Sequence, residues 1–232
     1  MNYGIKKACD VMKKITSILL ILTAAFSLTG CQSGPESEVD TNGAEANQSD
    51  EIATDLKITA EGVPVEVRLA SDGQYRYEYD KDEYAVTTSS NGSAFEIKVT
   101  DIEPETGGGT SVIVYIPDQS YTLVTAFSEG SSLMLPAINA NITVTSNTSS
   151  VVLSLPADYN KALNFTGDAS SCSLSMSNVN DFAVSAEIST SAVSAPNDWP
   201  VYDMLSPNYN YVSGNGAAKI NIDITSSSFI FE

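Results

Sequence analysis

Between Ser111 and Ser185 the chain repeats itself about every 20 residues, and a repeat of that length restricts the fold more than any other feature. Val112-Ile113-Val114-Tyr115-Ile116-Pro117 returns as Leu133-Met134-Leu135-Pro136 and again as Val151-Val152-Leu153-Ser154-Leu155-Pro156, which sets the prolines 19 and then 20 residues apart. A second track keeps pace, with Thr122-Leu123-Val124-Thr125, Ile142-Thr143-Val144-Thr145, Leu163-Asn164-Phe165-Thr166 and Phe182-Ala183-Val184-Ser185 at steps of 20, 21 and 19. One winding of two short strands cannot bury its apolar side alone, whereas stacked windings give every strand a neighbour and share one continuous core. The expected fold is all-β, a β-solenoid of roughly 20-residue coils with Leu123, Val144 and Phe165 stacked in one inward file.

Within the strands, apolar residues alternate with Ser, Thr or Asn. Ser171-Cys172-Ser173-Leu174-Ser175-Met176-Ser177 sends Cys172, Leu174 and Met176 to one face and the serines to the other. Each proline lacks an N–H and ends its ladder, marking a corner of the coil. Upstream, Val63–Leu69, Tyr75–Tyr79 and Phe95–Val99 alternate in the same way with charged outer residues, and Ser71-Asp72-Gly73 and Asn91-Gly92 supply turns. These strands are expected to form an antiparallel N-terminal β cap that shields an edge of the stack. Downstream, Pro196, Pro200 and Pro207 break the rhythm, so residues 194–212 read as a long loop. Gly214-Asn215-Gly216 then turns the chain into two closing strands, Lys219–Thr225 and Phe229–Phe231.

The first thirty residues have the layout of an export signal: Lys13-Lys14, an apolar run from Ile15 to Leu28, then small residues before Cys31. That run is short and interrupted for a membrane span. Leu28-Thr29-Gly30-Cys31 resembles the bacterial lipobox, which implies cleavage between Gly30 and Cys31 and diacylation of the Cys31 sulfur, palmitate being one such acyl group. Two acyl chains give stable attachment where one is marginal. The expected organisation is a lipoprotein signal peptide over residues 1–30, a lipidated Cys31 with an acidic tether to residue 54, and the β domain over 55–232. The tether holds Glu36, Glu38, Asp40, Glu45, Asp50 and Glu51 without an aromatic or basic residue, a composition too polar to offset ordering entropy.

Charge excludes several functions. Of 11 Lys and Arg and 29 Asp and Glu, four lysines and one acid precede Cys31, so the remainder carries 7 basic and 28 acidic residues, a net −21. Such a surface repels nucleic acid and anionic lipid, so no nucleic-acid partner is expected. The chain has no histidine, which removes Ser-His-Asp and Cys-His catalysis and His-based metal sites. Cys172 has no base to activate it and fits the alternation as a small inward hydrophobe. Gly107-Gly108-Gly109 precedes a strand rather than a helix and lacks the Lys of a phosphate loop. The acids at Asp80, Asp82 and Glu83 and at Asp101, Glu103 and Glu105 lack the Asp/Asn-Gly spacing of a calcium loop and read as solvated charge. No catalytic residue, metal or cofactor is expected. Trp199, Tyr202, Tyr209 and Tyr211 are the candidate ligand-binding residues, since their rings can stack on sugar faces or anchor a protein; the same rings could instead cover the open end of the stack.

The Val-x-Ile-Pro and Leu-x-Leu-Pro coils, the tyrosines before Gly214-Asn215-Gly216 and the finish Lys219-Ile220-Asn221-Ile222-Asp223 together resemble the bacterial adhesin-like β-solenoid domains of the auto-transporter-adhesin type, over roughly residues 56–232. That resemblance implies a non-enzymatic surface role; with the lipobox, the expected place is the outer face of a bacterial membrane, exported and held there by lipid, and the expected role is an adhesin-like binding or scaffold module with an envelope protein or glycan as partner. Regulation of envelope stress and action on a polysaccharide are the alternatives. Ser226-Ser227-Ser228 stands where the resemblance would place Gly after Ser, so the last turn is expected to differ.

Overall fold

The computed structural model describes residues 53–102, 110–176, 178–196, 198–199 and 206–232. These form seventeen strands in two sheets, and within each two-strand winding the chain crosses from one sheet to the other. The first winding is β1 (Asp55–Glu61) and β2 (Val65–Ala70), followed by β3 (Arg76–Glu78) and β4 (Tyr84–Asn91). Further windings are β5 (Ala94–Asp101) with β6 (Val112–Pro117), β7 (Leu123–Glu129) with β8 (Ser132–Leu135), and β9 (Asn141–Asn147) with β10 (Ser150–Ser154). They continue as β11 (Ala162–Asp168) with β12 (Ser171–Ser175) and β13 (Phe182–Ser189) with β14 (Ala192–Ser194); then come β15 (Asn208–Ser213) and the last winding, β16 (Ala218–Thr225) with β17 (Ser228–Phe231). The prolines close strands as expected, with β6 ending on Pro117 and β8 and β10 ending just before Pro136 and Pro156.

The fold is all-β, and most pairings are parallel. Only β3, β4 and β15 run antiparallel to their neighbours, and each lies at a sheet edge. The expected N-terminal cap is therefore smaller than the sequence suggested. β1, β2, β5 and β6 are parallel members of the stack, and only β3 and β4 close its end. Asn91-Gly92 does turn a hairpin, between β4 and β5, with Gly92 at φ 60°.

The order of stacking departs from chain order at both ends. In one sheet the order is β15-β13-β16-β11-β9-β7-β1-β5-β4, and in the other β14-β17-β12-β10-β8-β2-β6-β3. The first winding is thus inserted between β5/β6 and β7/β8, and the last between β11/β12 and β13/β14. The two strands expected to close the stack lie inside it. Residues 194–212 are not loop throughout, because β15 pairs antiparallel with β13 from Phe182↔Ser213 to Glu187↔Asn208. Pro207 precedes that pairing, so its missing N–H costs nothing there.

Inward residues line up in files. One runs Ile97, Ile58, Ala126, Val144, Phe165, Ile222, Ala186, all buried. Val144 and Phe165 share it as expected, but Leu123 does not: its neighbour is Asn141, and Ala126 holds the place. Leu123 is three residues from Ala126, an odd offset that puts it on the outer face, whereas Val124 and Ala126 point inward; the repeat itself, which set Val124 level with Val144, was two residues out, since Val124 pairs with Ile142. Across the core, Val112, Val65, Leu133, Val151, Cys172, Phe229 and Val193 form a facing file, and the Phe165 and Phe229 rings meet edge-on at 5.3 Å. Gly167 faces inward beside that pair; a Cβ there would lie 2.8 Å from the Phe165 ring.

The corner opposite the prolines is built from a device the periodicity did not reveal. In five windings a residue with positive φ (Gly130, Thr148, Ala169, Ser226, Thr190) is followed by a serine. Ser149, Ser170, Ser227 and Ser191 each donate their hydroxyl back two residues, to the carbonyls of Asn147, Asp168, Thr225 and Ser189. Each of those hydroxyls also accepts the backbone N–H of the serine in the adjoining winding, at 2.8–3.2 Å, in the series Ser131, Ser149, Ser170, Ser227, Ser191. A column of serines thus satisfies buried backbone groups at a bend where no strand neighbour can. The last turn does not differ, because Ser226 takes φ 51° and does what a glycine would do there.

Candidate functional site

The nine-stranded sheet turns its alternate residues outward, and register puts them in rows across the strands. One row reads Thr125, Thr143, Asn164, Asn221, Ser185, Asn210 over six neighbouring strands, with no charge among them. The amides interlock, with Asn221 Nδ2 donating to Asn164 Oδ1 at 2.9 Å. Strands in such a sheet lie about 4.8 Å apart, so the row presents hydroxyls and amides at that repeat. The parallel row Phe127, Thr145, Thr166, Asp223, Glu187, Asn208 becomes acidic at its far end. Beyond β7 the character changes: Lys57 and Glu96 form an ion pair at 2.6 Å, and Lys98 reaches Glu61 at 3.0 Å.

The eight-stranded sheet shows a different outer face. Met134, Val152 and Ile230 stand exposed, and toward β6 the Arg68 guanidinium grips the Glu66 carboxylate through two bonds, at 2.6 and 2.9 Å. That side-chain hydrogen bond holds the Glu66 carboxyl below its ordinary value. Arg76 lies over the Tyr115 ring at 5.0 Å.

Three of the four candidate aromatic residues converge. Trp199 packs on Phe182 at 5.0 Å, Tyr211 at 4.8 Å and Phe231 at 4.9 Å, while Tyr211 meets Phe182 edge-on at 5.8 Å. Tyr209 is buried on the same face of β15, and desolvation raises its hydroxyl pKa. These rings cover the end of the core, so their faces are spent on the protein's own aromatic residues. Tyr202 lies outside the described residues, as do Gly30, Cys31, Gly107–Gly109, Glu103 and Glu105.

Other candidates take structural places. Cys172 sits between Val151 and Phe229, 2% exposed, and burial pushes its thiol pKa well up, which suits a packed hydrophobe and not a nucleophile. Asp80 holds a turn, accepting the N–H of Asp82 at its carboxylate and that of Tyr84 at its carbonyl. Among the described residues, no group of three or more His, Cys, Asp or Glu side chains is placed to hold a metal. Sequence reasoning missed Asp181. Its Oδ1 accepts the N–H groups of Asn215 at 2.7 Å and Ala217 at 3.0 Å, and these bonds, that from Ala217 foremost, hold its carboxyl below the usual value. Asp181 thereby folds Gly214-Asn215-Gly216 into the turn that feeds β16 into the stack.

Fold and surface together define an all-β protein of two mainly parallel sheets with polar outer rows and an aromatic plug at one end. A solved structure described as a "putative cell adhesion protein" from Clostridium sporogenes has the same fold, with a TM-score of 0.56 and 15% identity over 84% of this chain and 97% of that one. No family model and no curated protein matches the chain.

Proposed function

We propose that the protein is a non-enzymatic, lipid-anchored lipoprotein of a bacterial envelope, and that its parallel stack is a β-solenoid serving as an adhesin-like binding or scaffold module. The anchor is the diacylated Cys31, reached through residues 31–54, and the protein stands on the outer face of the membrane. The observation that carries the binding role is the uncharged row from Thr125 to Asn210 on a chain of net charge −18. Six strands hold short neutral donors and acceptors in step, on a scaffold that costs no reorganisation when a partner arrives. Such a row suits an uncharged, repeating partner surface, whether an envelope protein or a glycan. The Clostridium sporogenes neighbour is compatible with this role through its description alone.

Envelope material passed over the immobilised protein should release a saturable partner, and Thr143→Glu/Ser185→Glu should lower its binding at least tenfold without changing the circular dichroism spectrum. Equal binding by the two proteins would remove the row from the function. Mass spectrometry of the N-terminal peptide from membranes tests the anchor separately: a diacylglyceryl mass on Cys31 is expected, and an unmodified thiol would refute it.

A further inference from the structure

A stack whose chain termini lie at its two ends can be unravelled winding by winding, because each terminal winding has one neighbour and leaves without disturbing the rest. This chain is threaded otherwise. β1 is held on both edges, with seven-residue parallel registers to β5 and to β7. Its first residues are pinned as well: Thr54 donates to Ser93 O at 3.0 Å, its own carbonyl accepts the Thr122 N–H at 2.7 Å, and Ala53 O accepts Gln119 Nε2 at 2.7 Å. At the other terminus β16 lies between β11 and β13, and β17 between β12 and β14. Glu232 is tied at both backbone groups, to Leu174 O at 2.9 Å and to the Met176 N–H at 2.8 Å.

We infer that this threading makes the protein a tension-bearing link between the membrane and whatever binds the domain. Pull delivered through the N-terminus reaches a strand that cannot leave without breaking two ladders at once. Once it leaves, β5/β6 and β7/β8 lose the strands between them, so the stack has no intact partial state to fall back on. The edge strands that could peel singly, β4 and β15, are neither the first nor the last strands among the described residues. The inference rests on the anchor proposed above, and the peptide mass described there decides the anchor whatever the mechanical result.

The test is single-molecule pulling on the unacylated chain from Cys31 onward, which leaves out Cys9, with one handle on the Cys31 thiol and the other on the C-terminus. Cys172 is buried and does not compete for the handle while the protein is folded. One rupture is expected, lengthening the tether by about 600 Å for some 180 residues, against about 70 Å for a single winding of about 20. A second chain, Ser93→Cys, takes both handles through thiols, at Cys31 and at position 93, so that load enters the edge strand β4, which has one ladder, to β5; it should show an earlier, shorter step at no more than half the force. A staircase of roughly 70 Å steps from Cys31, or equal first forces in the two geometries, would overturn the inference.

Discussion

Ser170→Ala tests the serine column at its middle. The Ser170 hydroxyl donates to Asp168 O at 2.8 Å and accepts both the Ser149 N–H at 3.2 Å and the Ser146 hydroxyl at 3.0 Å. Ser170 is 6% exposed, and Ser149 and Ser146 are 7% and 2%. Alanine therefore strands a buried N–H, at about 1–3 kcal/mol, and removes two further bonds, to Asp168 O and from the Ser146 hydroxyl, together worth about 1 kcal/mol or more, with little room for water to replace them. The expected loss is about 2–4 kcal/mol, read as a lower urea midpoint at unchanged m-value. Ser191→Ala is the control. Its hydroxyl makes the same two kinds of bond, to Ser189 O and from the Ser227 N–H, but at the more exposed end of the column, where water can substitute. That change should cost under about 1 kcal/mol. Equal losses in the two variants, or a loss below about 0.5 kcal/mol for Ser170→Ala, would show that the column does not hold the corner together.

Ala169→Gly should stabilise the protein by up to about 1 kcal/mol in the same assay, since Ala169 sits at φ 49°, where a Cβ is strained; a loss would mean the strain is absent. Gly167→Ala should cost about 1–3 kcal/mol, because the new methyl would meet the Phe165 ring at 2.8 Å in a packed core; an unchanged urea midpoint would refute it. The Asp181 carboxyl titrates below its ordinary value, so the stability it contributes is present above the unfolded value and is lost as pH falls through the folded one. Exchange protection of the Asn215 and Ala217 amides should accordingly hold at neutral pH and fall in acid below about pH 4, with Asp181→Asn removing the pH dependence; protection that persists in acid would sink that assignment.

Much of this architecture was legible in the amino-acid order. The 19- and 20-residue proline spacing and the alternation around Cys172 and Leu174 placed strands, corners and inward faces, because side-chain direction in a strand follows from local backbone geometry. The aromatic residues near Trp199 were visible as a cluster, and both of their uses were open. Tertiary structure shows the covering use, by setting Phe182 and Phe231 within ring contact of Trp199. The serine column left a signal too, in Ser131, Ser149, Ser170 and Ser191 at steps of 18, 21 and 21, but the hydroxyls acquire meaning only when neighbouring windings bring a backbone N–H to each.

Stacking order and register were settled only by the assembled molecule. Every winding offers the same hydrogen-bonding edges, so β1 could be completed by any parallel neighbour, and loop closure penalises the longer connection to β7 only slightly more than the shorter one to β5. A two-residue slip keeps each face intact, which is why the repeat could set Val124 level with Val144 where the molecule puts Ala126. Ala126 stands beside Val144 in the inward file, and Gly167 leaves the space that the Phe165 ring fills. Local order thus determined that this chain would wind into strands with one oily and one polar side, and packing between distant windings determined which lie side by side.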